Sequence, residues 1–90
     1  YLNIYQATYG NIAQIRAADT MKHDIKQGTQ QQLYDLGMTL LFPVYREYSY
    51  SGGGGFVLII SEEGILYLLP TGQDLKEGTA INFSETIFIE

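Results

Sequence analysis

Leu2 and Ile4 alternate with Tyr1, Asn3 and Tyr5, the spacing of a β-strand. Gly10-Asn11 interrupts that alternation. Asn11 and Gln14 have the spacing of a capping box, and Ile12, Ile15, Ala18, Met21 and Ile25 recur every three to four residues after it. This spacing predicts a helix over 11–27, closed by Gly28 at its C-terminal stop. Thr29 and Gln32 repeat the capping signal, and Leu33, Leu36, Leu40 and Leu41 follow at helical intervals. The prediction is a second helix over 29–41, or one long helix kinked at Gly28, ended by Pro43. A different pairing stays open: Ala13–Ile25 folds back on residues 1–8 across Gly10-Asn11.

The second half is written in strand periodicity. Val44–Tyr50 is aromatic and extended. Ser51 and Gly52–Gly55 make a loop, because ordering each glycine costs more backbone freedom than any other residue. Phe56–Ile60 and Ile65–Leu69 are the arms of a hairpin, with Ser61-Glu62-Glu63-Gly64 as its turn. Ile81, Phe83, Glu85, Ile87 and Ile89 share one face of a last strand, while Asn82, Ser84 and Thr86 share the other. No internal repeat is detected. The predicted fold is one α+β domain over residues 1–90: an N-terminal strand, the helical segment, and a four-stranded antiparallel meander packed on it.

Both arms of the 56–69 hairpin are apolar on both faces. Phe56, Leu58 and Ile60 oppose Val57 and Ile59, and Leu66 and Leu68 oppose Ile65, Tyr67 and Leu69. A sheet covered on one side alternates apolar and polar residues. The expectation is therefore a homodimer through the sheet or a strongly curved sheet.

Charge refines this picture. The net charge is −5, with 5 Lys+Arg against 10 Asp+Glu. Residues 1–50 are balanced, so the whole excess falls in 51–90, where Lys76 faces Glu62, Glu63, Asp74, Glu77, Glu85 and Glu90. That distribution argues against a nucleic-acid binder working by phosphate neutralisation. No Cys is present, which excludes disulfides, thiolate metal sites and Cys nucleophiles and points to a cytoplasmic setting. No apolar run is long enough to span a bilayer, and no signal peptide is read at the N-terminus. No cofactor or metal motif is found.

Several residues merit weighing as sites. The run Ser51–Gly55 lacks the following helix and the lysine of a phosphate loop. It reads as a hairpin loop, with an engineered tether and a close-approach binding loop through Gly53 and Gly54 as the other readings. His23, the one histidine, has Asp19 and Asp24 nearby but no nucleophile, and reads as a solvated position. Glu62-Glu63 is an acidic turn. Glu85 sits on the apolar face of the last strand and needs a partner such as Arg46 or Arg16. Tyr48 and Tyr50 share a strand face with Val44 and Arg46, a composition enriched at interfaces.

The order of strand, helix and four-strand meander is similar to the cystatin/monellin arrangement, in which a sheet grips one helix. The likeness covers element order over most of the chain. Residues 51–55 and Leu69-Pro70-Thr71-Gly72-Gln73 fall where such folds carry binding loops. The inhibitor family's Gln-x-Val-x-Gly motif is absent, with Tyr50-Ser51-Gly52-Gly53-Gly54 in its place, so the resemblance implies a fold and no inhibitory function.

Together these features predict a small acidic protein-interaction module without catalysis, self-associating through its sheet or meeting a basic protein partner. The contacts expected are Arg46, Tyr48, Tyr50, Gly53, Gly54, Glu62, Glu63 and Glu85. The rival reading is a small-molecule binder or small enzyme with a pocket between helix and sheet.

Overall fold

Residues 12–20 hold two periodicities at once, and strand periodicity is the one realised. Ala13, Ile15 and Ala17 point inward and are buried, while Gln14, Arg16 and Ala18 point out. In the computed structural model, which describes residues 1–90, Tyr5–Tyr9 (β1) and Ile12–Thr20 (β2) form an antiparallel hairpin across Gly10-Asn11. This is the alternative pairing that the sequence left open. The remaining strands are β3 (Gln31–Asp35), β4 (Val44–Ser49), β5 (Gly55–Ile60), β6 (Ile65–Thr71) and β7 (Ala80–Phe88). There is no helix.

The expected α+β fold is thus corrected to an all-β one, and the likeness to the cystatin/monellin arrangement, which rested on the helix, goes with it. The helix-forming Ala, Gln and Arg of 12–20 have weak intrinsic preferences, which tertiary pairing overrides. The leucines read as a second helix are divided between structures. Leu33 lies in β3, and Leu36 and Leu40 plug the core from the loop after it.

The strands form two antiparallel sheets, β1-β2-β7 and β3-β6-β5-β4. The core lies between them. Phe56, Leu58, Ile60, Leu66 and Leu68 line one wall, and Ala13, Ile15, Ala17, Ile81, Phe83 and Ile87 line the other. Small residues face large ones within the three-stranded sheet: Ala17 pairs with Phe83 and Ala13 with Ile87. The expected four-stranded meander is corrected too. β4, β5 and β6 are a meander, but β7 leaves it to pair with β2 along its whole length.

The exchange of β7 gives meaning to a short repeat in the chain. Asp24-Ile25-Lys26-Gln27-Gly28-Thr29 recurs as Asp74-Leu75-Lys76-Glu77-Gly78-Thr79, with Asp, Lys, Gly and Thr identical. The expected absence of any repeat is corrected accordingly. Each copy is the loop that carries the chain from one sheet to the other. Hairpin β1–β2 sends its loop on to β3, which pairs with β6. Hairpin β5–β6 sends its loop on to β7, which pairs with β2. The molecule is two like units that trade their third strands.

The two loops cross side by side at one end of the sandwich. Ile25 and Leu75 exchange both backbone hydrogen bonds at 2.8 Å. Asp24 Oδ1 accepts the Glu77 amide at 2.7 Å, and Asp74 Oδ1 accepts the Gln27 amide at 2.8 Å. Gly28 and Gly78 take φ of 81° and 87°, a left-handed turn that a side chain would strain. Their amides reach Pro70 and Met21 carbonyls respectively. The opposite end is closed by the β5–β6 turn and the loop before β4, where Leu40 bridges Ile89.

Because each aspartate caps the other copy's loop, Asp24→Ala and Asp74→Ala should cost alike, about 1 kcal/mol each. Urea unfolding monitored by circular dichroism is the check. Leu75→Ala, at a fully buried position, should cost about 2–5 kcal/mol by the same assay.

Candidate functional site

β4 is the edge of the four-stranded sheet and β7 the edge of the three-stranded one, and their side chains meet across one seam of the sandwich. Strand alternation sends Val44, Arg46 and Tyr48 to the core side of β4, and Tyr45, Glu47 and Ser49 outward. Glu85 points inward from β7 and is only 8% exposed. Arg46 lies 3.2 Å from Glu85 Oε1, and the Tyr48 hydroxyl donates to Oε2. That hydroxyl also lies 3.0 Å from the Ser84 carbonyl oxygen. The Tyr48 ring stacks on Phe56 at 5.3 Å and meets Phe83 at 5.9 Å, which fixes its position.

Glu85 therefore has the Arg46 partner that its place on an apolar face demanded. Both of its oxygens are engaged, so it ties two sheets together and has no oxygen free to act as a general base. Burial, and then the Glu85 carboxylate, push the Tyr48 hydroxyl up to about 12. The other seam is closed by neutral groups. The Tyr34 hydroxyl donates to Gln6 Oε1 at 2.8 Å.

The remaining sequence candidates do not join this cluster. Gly53 and Gly54 lie before β5 and Glu62-Glu63 after it, so a six-residue strand of roughly 20 Å separates them. Glu62 and Glu63 are exposed on their turn. Gly53 is exposed at the loop tip, with nothing near the place where a side chain would stand. Gly54 is buried, and a Cβ there would run into the Tyr50 ring and hydroxyl. The Tyr50 amide donates to the Gly54 carbonyl at 3.1 Å and closes the loop. Packing of this kind is not what a loose tether provides. Tyr50 itself turns inward against the core, and its buried hydroxyl has no protein partner. On the strand face expected as a contact surface, Tyr48 and Tyr50 pack against the core, while Arg46 keeps 62% of its side chain exposed beside Glu85.

His23 meets the edge of the Tyr1 ring at 5.5 Å and pairs with neither aspartate. Asp19 is bonded to Lys22 and to the Asn3 and Thr20 amides, which together hold its carboxyl down to about 2. Asp24 is spent on the Glu77 amide.

What remains is the outer face of the four-stranded sheet. Tyr45, Ile59, Tyr67 and Gln32 form one row straight across it, and Glu47, Val57 and Leu69 form part of the next. None of these side chains belongs to the core. Val57 is 3% exposed, Ile59, Ile65, Tyr67 and Leu69 are half-buried, and Tyr45 at the edge is 69% exposed. No element of the chain covers this face. The double apolar character of the hairpin announces the surface. Tyr45 carries no such signal, because Tyr48 and Tyr50 dominate the pattern of its strand. Comparison with family models, with curated proteins and with solved structures returns no match.

Two measurements check this assignment of roles. Folded-state stability should fall as pH rises from about 10 through about 12, because ionising Tyr48 is harder in the folded chain than in the unfolded one. Absorbance titration of the tyrosines should show one late group, and Tyr48→Phe should remove it. At the loop, Gly54→Ala should destabilise, while Tyr50→Phe should be neutral or stabilising because it removes an unpaired buried hydroxyl. Thermal melts compare the two.

Proposed function

We propose that the chain is a non-catalytic protein-interaction module that self-associates through the outer face of β3-β6-β5-β4. The observation that carries this reading is the uncovered apolar sheet face. Val57, Ile59, Ile65, Tyr67 and Leu69 occupy positions where a solvated sheet would place polar residues. A second copy brings an identical patch, and a two-fold interface makes such a patch self-complementary. The centre of the face is uncharged, and its flanks carry Glu47 on β4 and Glu62-Glu63 at the turn. The filled interior and the full commitment of Glu85 count against an internal catalytic pocket. The cytoplasmic setting belongs to the same reading, since a core of 17 buried residues holds the fold without disulfides.

Charge sets the sign of the test. Two acidic copies repel, so raising salt from about 0.05 to 0.5 M should tighten self-association by shortening the screening length. Association that weakens with salt would point instead to a basic partner protein. Sedimentation velocity provides the measurement. Ile59→Lys should shift the species from dimer to monomer while leaving the circular dichroism spectrum unchanged. A compact monomer at high concentration overturns the proposal.

A further inference from the structure

The opposite wall of the sandwich carries a different surface. The outward row Tyr5, Arg16 and Ser84 crosses β1, β2 and β7. The Arg16 guanidinium carbon lies 4.5 Å over the centroid of the Tyr5 ring, a cation–π contact that restrains the side chain. Lys22, Arg46 and Lys76 each have a carboxylate within 4.0 Å, and Arg16 has none. Lys26 is unpaired too, but it stands exposed on the crossing loop and lines no recess. Arg16 also donates no hydrogen bond, so its donors are held in place and unspent.

Those donors open into a recess of about 670 Å³, which Asn3, Asn82 and Ser84 also line. The side chains of these three residues are likewise free of internal hydrogen bonds. No carboxylate lines the recess. The floor is small and apolar at the outward-facing Ala18. Ala18 and Asn82 also border a second recess, of about 850 Å³, which runs on past Asp19, Thr20 and Ala80 to Tyr50 and Ser51; Asp19, its one carboxylate, is paired with Lys22. Together the two make one trough along the β2–β7 ladder. From Arg16 to Thr20 it is roughly 14 Å long, the length of four extended residues.

We propose that this trough binds the C-terminal end of an extended peptide, with the terminal carboxylate on Arg16. A planar fork held in place matches a carboxylate bidentately. One cation suits one negative charge, and the recess holds no second cation for a phosphate dianion. The amides of Asn3 and Asn82 meet peptide backbone groups, and the alanine floor lets the backbone lie close. The net charge of −5 does not prevent this, because at physiological salt charges beyond about 8 Å are screened and Arg16 dominates locally. The site is independent of the self-association face, which lies on the other sheet.

The test is a ¹⁵N–¹H NMR titration of the full chain with a pool of N-acetylated tetrapeptides bearing free C-termini. Amide shifts should cluster at Arg16, Ala18, Asn82 and Ser84 and spread toward Thr20 and Ala80. The same pool with amidated C-termini should bind at least tenfold more weakly. Arg16→Gln should lose the same tenfold with unchanged spectral dispersion, and Arg16→Lys should recover part of it. Equal binding of the amidated pool, or no shifts at millimolar peptide, overturns the proposal. N-acetylglycine binding as tightly as the pool would overturn the extended trough and leave a site for free small carboxylates.

Discussion

Two loops cross at one end of this molecule, and the pairing of Ile25 with Leu75 holds them there. Everything else follows from that crossing. It delivers β3 to the far hairpin and β7 to the near one, so neither sheet is completed by its own half of the chain. Each loop carries an aspartate that satisfies an amide of the other. The crossing is therefore stabilised reciprocally, and loss of either capping group weakens both routes.

With the loops fixed, the two sheets are left to close along their edges. One seam uses Glu85, Arg46 and Tyr48, and the other uses Gln6 and Tyr34. A buried carboxylate is expensive unless its oxygens are engaged, and here they are. The charge that looked most like chemistry in the sequence is the one most fully used up in architecture. The two outer walls differ in kind. One is apolar with an acidic flank, and the other is a polar trough around one uncompensated arginine.

Some of this was legible in the sequence. The hairpin of β5 and β6, the alternation of β7 and the inward position of Glu85 all follow from period-2 patterning. The double apolar character of β5 and β6 is enough, by itself, to imply a surface in need of cover. Residues 12–20 mislead because Ile12, Ile15 and Ala18 fall at a helical interval while Ala13, Ile15 and Ala17 carry the alternation, and alanine fits either state. The choice between them is made by β7, far away along the chain. The recurring Asp-x-Lys-x-Gly-Thr pattern is visible but short, and its meaning depends on a crossing that no local signal reports. The Arg16 trough draws on residues from both ends of the chain, and a linear reading offers Arg16 as a partner for Glu85 instead, so its unspent fork is visible only in the fold.

The traded strands also govern how this chain comes into being. As it is synthesised, β1 and β2 emerge before β7, and until then the far side of β2 lacks its partner. The strand that covers it ends at Phe88. β3 likewise waits for β6. Most contacts are long-range in sequence, which slows closure and prolongs exposure of bare strand edges. Between birth and completion the chain is a pair of unfinished sheets, and its fold is settled late and all together.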